Sequence, residues 1–345
     1  MLDDQNIIFQ RDPSGAIKAI RNLPEQATFH PEFHGETPHR SFGNIVMTGM
    51  GGSALAADMI KVLTKKLLTV PLEVTKGYSL PAYVNEQTLV IAISHSGNTE
   101  ETLSSYTQAQ ERGATVVAMA TGGALIERAK ADGTTYAIVP NGAQPRMSTV
   151  YHLRILLGFL QQFELIDDSL YEDLGSSANW LAEHIGHWSP EVPTEHNYAK
   201  QIAELAAGKI GMFYGGELTA PIAYKWKISW NESSKNVAFC NSFPEFNHNE
   251  FIGWVSHPIE KPFAVFDLRS RLENPRIEER MDLTDRMLSG NRPHAKVIHL
   301  EGETLLKQLL WGLAFADMSS VYLAVLNNVD PTPVELVEKF KQSLS

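Results

Sequence analysis

Two α/β domains, each a mainly parallel sheet flanked by helices on both faces, are the architecture this chain predicts. Three observations lead there. Short apolar strand-like runs alternate with helical ones along both halves, and each half opens on the same passage from strand through glycines into helix. At 345 residues the chain exceeds one average domain and suits two of about 150–200, each large enough to bury its own core.

In the first half the strand-like runs are 45–48, 72–75, 89–94, 115–120 and 136–139, separated by helical runs at 53–63, 98–112, 124–131 and 147–163. Strands joined through helices of this length run parallel and are covered on both faces, so they read as continuous apolar stretches. The run 167–188 has the amphipathicity of a connecting helix, and Ser189-Pro190-Glu191-Val192-Pro193 breaks it, which puts the domain junction near Pro190. The expected divisions are an N-terminal extension at 1–40, a first domain at 41–166, a connector at 167–193 and a second domain at 194–345.

The second half repeats the alternation, with strands at 210–214, 237–239, 262–267 and 297–300 and helices at 218–232, 275–288, 304–326 and 334–344. Gly211-Met212-Phe213-Tyr214-Gly215-Gly216 leads from strand to helix as 45–52 does, which suggests duplication of one α/β unit. The copies then diverge, because Phe263–Arg269 stands where the first half has a Ser-rich loop. Only the first half is expected to keep a phosphate cradle.

Composition excludes several classes of partner. With 29 basic and 40 acidic residues and a formal charge of −11, nothing provides the footprint for nucleic acid or an anionic membrane, so an anionic ligand must be held by local donors. The one cysteine, Cys240, cannot form an internal disulfide and reads as a small buried apolar residue. Met1-Leu2-Asp3-Asp4-Gln5-Asn6 lacks the basic and apolar regions of a signal peptide, and no apolar run of 18 or more residues is read; a cytoplasmic location is the expectation. His30, His34 and His39 lie in a Pro-rich segment without metal-ligand spacing, so structural or solvent-facing roles are expected and no metal or cofactor.

Chemistry concentrates in two loops. Gly49-Met50-Gly51-Gly52-Ser53 and Ser94-His95-Ser96-Gly97-Asn98-Thr99 each place glycines, hydroxyls and backbone N–H groups between a strand and a helix, which is how an uncharged loop holds phosphate. Gly49-x-Gly51-x-x-Ala54 also satisfies a loose dinucleotide fingerprint, with Glu73 at the distance of a ribose contact. Glu73 falls inside a strand run, however, and Ser94, Ser96 and Thr99 suit the oxygens of one terminal phosphate, so a phosphorylated small molecule is the preferred ligand. Asn98 with Glu101 resembles a helix-capping pair.

These loops resemble the sugar isomerase (SIS) domain superfamily. Gln144-Pro145-Arg146, Trp230-Asn231-Glu232-Ser233, Phe243-Pro244-Glu245-Phe246-Asn247-His248-Asn249-Glu250 and Asp330-Pro331-Thr332-Pro333-Val334 narrow the likeness to the dual-specificity phosphoglucose/phosphomannose isomerases, which carry two SIS domains in one chain. The likeness runs from about Asn44 to the C-terminus. Departures are Ala56-Ala57 in place of glycines, His95 in place of an aromatic, and Met147-Ser148-Thr149.

The resemblance implies metal-independent interconversion of glucose 6-phosphate and mannose 6-phosphate with fructose 6-phosphate through a cis-enediol(ate). It implies Glu232 as the base, His248 and Lys339 in ring opening, Arg146 stabilising the oxyanion, Thr332 near C2, and Gly52, Ser53, Ser94, Ser96 and Thr99 around the phosphate. It also implies a homodimer in which His248 reaches the neighbouring subunit's site. Glu232 further stands at the end of a helix whose stripe Leu218, Ile222, Trp226, Trp230 is apolar at i+4 spacing. Plainer readings remain: a solvated Glu232, a surface ion pair at Arg146, helix capping by Thr332, and Lys341 mistaken for Lys339. Two other functions stay open, a noncatalytic SIS module that senses a sugar phosphate and a nicotinamide-dependent oxidoreductase.

Overall fold

Thr88–Ile93 buries all six of its side chains, so this strand must be covered on both faces. The structure, a computed structural model, describes residues 1–38, 40–256 and 260–344; His39 lies outside them. The chain forms two units, Leu23–Asn179 and the combination of Met1–Asn22 with Trp180–Ser345.

In the Leu23–Asn179 unit the strands are β1 (Phe33–His34), β2 (Asn44–Thr48), β3 (Leu72–Thr75), β4 (Thr88–Ile93), β5 (Thr115–Ala120) and β6 (Thr135–Ile138), ordered β1-β6-β5-β4-β2-β3. All pairs are parallel except β1 with β6. The antiparallel edge was outside the sequence pattern, since two residues carry no periodicity. His34 of β1 stacks on Tyr136, a structural role.

In the other unit β7 (Ile210–Gly215), β8 (Ala238–Ser242), β9 (Phe263–Arg269) and β10 (Lys296–His299) form an all-parallel sheet ordered β10-β9-β7-β8. The first strand of this set lies between the second and third, as β2 lies between β3 and β4. Both units therefore share one strand order, which agrees with the internal repeat. Cys240 sits half-buried on β8, less enclosed than the sequence suggested, because β8 is an edge strand.

Two features depart from the sequence reading. The run 167–188 forms two helices, Ser169–Ser176 and Ala178–His187, with the Ser177 hydroxyl bonding back to the Asp173 carbonyl between them. Residues 1–22 are core material rather than an appendage, with Leu2, Ile8, Ile17 and Ile20 buried. The Pro190 stretch is held within its unit: the fully buried Lys200 donates to the carbonyls of Pro190 and Val192 at 3.0 and 2.8 Å.

Leu305–Asn327 is long and apolar enough to cross a membrane, although Lys307 and Asp317 interrupt the run; 94% of its apolar window is buried inside the protein, as in a core helix.

Candidate active site

In a parallel sheet ordered in this way, the crevice for a ligand opens at the carboxyl ends of the strands where the winding reverses. In the Leu23–Asn179 unit that point lies between β2 and β4, and both Gly- and Ser-rich loops leave from it. They abut, since a Cβ on Gly49 would meet the Ile93 carbonyl at 2.8 Å. The first loop enters helix Gly51–Thr64, whose start has no side-chain cap; Gly52 and Ser53 are buried in its opening turn. Uncapped N–H groups there remain available to an anion.

The second loop is organised by Ser94, whose hydroxyl accepts from Gly97 N at 3.0 Å and shares a 2.9 Å hydrogen bond with Thr99 Oγ1. Ser96 is exposed and accepts from Asn98 N at 3.2 Å. Thr99, not Asn98, is the residue that precedes helix Glu100–Glu111, in an extended conformation and without a side-chain cap bond. The Asn98 side chain instead accepts from Ala124 N at 3.0 Å, tying the loop to helix Gly123–Ala131. A short polar side chain can bond to either helix start, and the neighbouring turn wins here.

Arg146 is buried on the 3-10 turn Pro145–Met147, which rules out the surface ion pair. The turn touches Gly52: a Cβ there would lie 3.1 Å from Arg146 N, Arg146 Cα and the Pro145 carbonyl. His95 Nδ1 lies 3.4 Å from Nε2 of His152, on helix Thr149–Gln162. Burial lowers the His95 pKa, opposed by a bond to the Ala143 backbone, and lowers that of the fully buried His152 to about 3, with the neighbouring His95 adding to the effect. Glu73 points to no ribose site: it lies mid-strand on edge strand β3 and accepts from the Tyr83 hydroxyl at 2.6 Å.

In the other unit, Glu232 ends helix Ala220–Glu232, two residues shorter at its start than expected because the Thr219 hydroxyl is held at the sheet, accepting from Gly216 N just past β7 and donating to the Leu268 carbonyl of β9. Ile222, Trp226 and Trp230 are fully buried, the two indoles stacked at 5.2 Å. The same helix carries Lys225, paired at 2.6 Å with Asp317 of helix Leu305–Asn327, both without solvent exposure; Ser229 donates to the same carboxylate oxygen at 2.8 Å. Glu232 and Asp330, Pro333 and Val334 line one cleft of about 670 Å³. Lys235 donates to the Glu232 carbonyl at 2.6 Å and was not anticipated.

Thr332 is half-buried on the loop of that cleft, its N–H bonded to Asp330 Oδ1 at 2.9 Å; it does not cap helix Glu335–Leu344, which starts three residues later. Lys339 is exposed on that helix, and Lys341 pairs with Glu338. His248 ends the 3-10 turn Glu245–His248, exposed, and does not line the Glu232 cleft. The structure thus joins Glu232 with the Thr332 loop, and separately joins the Gly- and Ser-rich loops with Arg146. Among the described residues no group of three His, Cys, Asp or Glu has the arrangement of a metal site.

The repeated winding gives the second unit an equivalent crevice between β7 and β9, and it is occupied from within. Leu218 N donates to both oxygens of Glu273 at 3.3 and 3.0 Å, and a Cβ on Gly216 would meet Glu273 Oε2 at 2.3 Å. Burial raises the Glu273 pKa, opposed chiefly by backbone N–H bonds from Leu218 and Asn274. A carboxylate thus sits at the turn that follows β7, bonded to the backbone there. Sequence order conceals this, because residues 216 and 273 meet only through the fold.

Residues 40–157 match the SIS domain model and residues 195–344 the model of the bacterial phospho-glucose isomerase C-terminal SIS domain. A bifunctional phosphoglucose/phosphomannose isomerase from Caldicellulosiruptor bescii is 35% identical over 338 residues, covering 95% of this chain and 98% of its own. A D-glucosamine-6-phosphate 4-epimerase from Sulfolobus acidocaldarius is 27% identical over 304 residues, covering 86% of this chain and 88% of its own. Among solved structures, a glucose-6-phosphate isomerase like protein from Thermus thermophilus shares the fold with a TM-score of 0.66 and 19% identity, covering 99% of this chain and 98% of its own. The extent and identity of the first of these matches, on a chain with two SIS-type sheets, make this chain a member of the bifunctional phosphoglucose/phosphomannose isomerase family.

Proposed function

We propose that this protein interconverts glucose 6-phosphate and mannose 6-phosphate with fructose 6-phosphate through a cis-enediol(ate). The observation that carries the reading is the 35% identity across nearly the whole chain to a bifunctional isomerase, in a sequence that holds both the Gly- and Ser-rich loops and Glu232. Gly52, Ser53, Ser94, Ser96 and Thr99 hold the phosphate through hydroxyls and backbone N–H groups. His248 and Lys339 open the ring by moving a proton between O1 and the ring oxygen. Glu232 then takes the proton from C2 of the aldose and delivers it to C1, while Arg146 stabilises the negative oxygen of the enediolate. Beside Thr332, rotation about C2–C3 lets the proton return to either face of C2, which admits both aldoses.

The protein acts as a cytoplasmic homodimer in which His248 serves the neighbouring subunit. The exposure of His248, whose imidazole no described residue bonds, supports that role.

Incubation with fructose 6-phosphate in deuterated water tests the reading. Glucose and mannose 6-phosphates should both form, each carrying deuterium at C2. Products without label exclude an enediol exchanging with solvent, and an epimer at C4 would replace the proposed reaction.

A further inference from the structure

His248 stands exposed on a loop whose other residues are all fastened. Phe246 is buried against Tyr214 and Phe243, with ring centroids 4.8 and 4.9 Å away. Asn247 donates to Thr284 Oγ1 at 2.9 Å and accepts from Arg280 at 3.2 Å. Asn249 donates to Glu245 at 2.6 Å.

The strongest anchor is Glu250, two residues beyond the histidine. Its carboxylate receives the Tyr214 hydroxyl and Trp254 Nε1 on one oxygen, the latter at 3.2 Å, and Asn241 Nδ2 on the other at 2.8 Å. Tyr214 and Asn241 sit at the carboxyl ends of β7 and β8, so this half-buried carboxylate fastens the loop to the sheet itself. Behind the donors lies Arg292, its side chain 1% exposed, with its guanidinium 5.7, 6.0 and 5.8 Å from the ring centroids of Tyr214, Phe246 and Trp254 and 3.6 Å from Asp285. A cation over those rings favours donation from the phenol and indole to an anion. Burial, with the Glu250 charge next, holds the Tyr214 phenol far above its ordinary pKa, so it stays a donor.

We propose that Glu250 is the positioning residue for His248, fixing the loop so that the imidazole is presented in one orientation for ring opening. The inference rests on the ring-opening role given to His248 above. Nothing else in the loop demands a carboxylate at this place, because the aromatic residues already supply its packing. An imidazole that must reach two oxygens of one sugar gains from such a fix, since a displacement of about 1 Å can cost about a hundredfold in rate.

Ring opening alone is observable as exchange between the α and β anomers of glucose 6-phosphate, followed by exchange NMR in a Glu232→Gln background where isomerisation is suppressed. Glu250→Gln keeps the volume and the acceptor for Tyr214 and Trp254 but turns an amide toward Asn241. It should slow anomer exchange about tenfold. In the otherwise native protein it should lower kcat with KM unchanged, and it should add nothing to His248→Ala. Tyr214→Phe, which keeps the packing, should give a smaller loss in the same direction. If His248→Ala abolishes exchange while Glu250→Gln and Tyr214→Phe exchange at the parental rate, the assignment to Glu250 is overturned. If His248→Ala exchanges at the parental rate, the ring-opening role of His248 itself is overturned.

Discussion

Gly97 lies beneath the carbonyl of Gly122 so closely that a Cβ on it would fall 1.8 Å from the oxygen. Its φ of +75° is also one that other residues adopt only with strain. The loop Ser94–Thr99, the proposed phosphate site, therefore holds its shape only with glycine at this point. Gly97→Ala should destabilise the protein by about 2–3 kcal/mol and weaken binding of fructose 6-phosphate at least tenfold. Chemical denaturation and calorimetric titration measure the two effects; unchanged affinity would detach the loop from the phosphate.

Glu232→Gln should bind fructose 6-phosphate within a few-fold of the native affinity and lose about a thousandfold or more in kcat, the range for removing a positioned base. Turnover close to native would take Glu232 out of the proton transfer.

His152 gives the protein an acid limb of defined sign. Its folded pKa of about 3 lies below the ordinary 6.5, so between these values the unfolded chain binds a proton that the folded chain refuses. Stability from this group is complete above about pH 6.5 and falls with acidification by about 1.4 kcal/mol per pH unit down to about pH 3. His95, also lowered by burial, acts in the same direction. Denaturant midpoints across that window should drop less steeply in His152→Gln; an identical slope would put the acid sensitivity elsewhere.

Glu273→Ser should uncover an anion cup in the second unit. Inorganic phosphate at millimolar concentration should then raise Tm by a few degrees more than it raises that of the native protein. An equal response in both would mean that Glu273 serves packing alone.

The sheets were readable because their strands are apolar on both faces: β4 shows itself in Thr88-Leu89-Val90-Ile91-Ala92-Ile93, and the strand–glycine–helix passages locate the Gly- and Ser-rich loops. The helices at Gln5–Arg11 and Ala16–Arg21 were not, since two turns are too short to declare a period, although Ile8 and Ile20 are core residues. Asn98 read as a cap because its side chain suits helix Glu100–Glu111 as well as the helix start at Ala124 that it bonds. Glu250 and Glu273 look solvated in a linear chain; only folding brings Tyr214, Asn241 and Trp254 to the first and Leu218 to the second. Thr332 and Lys339 were placed by likeness alone, and neither the half-burial of Thr332 nor the exposure of Lys339 adds an independent signal.

Lys225 and Asp317, locked together away from water, bear on how the proposed base Glu232 is aimed. Two opposite charges enclosed in this way contribute little net stability, yet a slide of one residue along either helix would strand both of them in an apolar interior. The pair works as an index pin for helix Ala220–Glu232. Glu232, about two turns beyond Lys225, takes its height above the sheet from that pin. Repacking of the surrounding aromatics can therefore drift during evolution while the carboxylate keeps its aim.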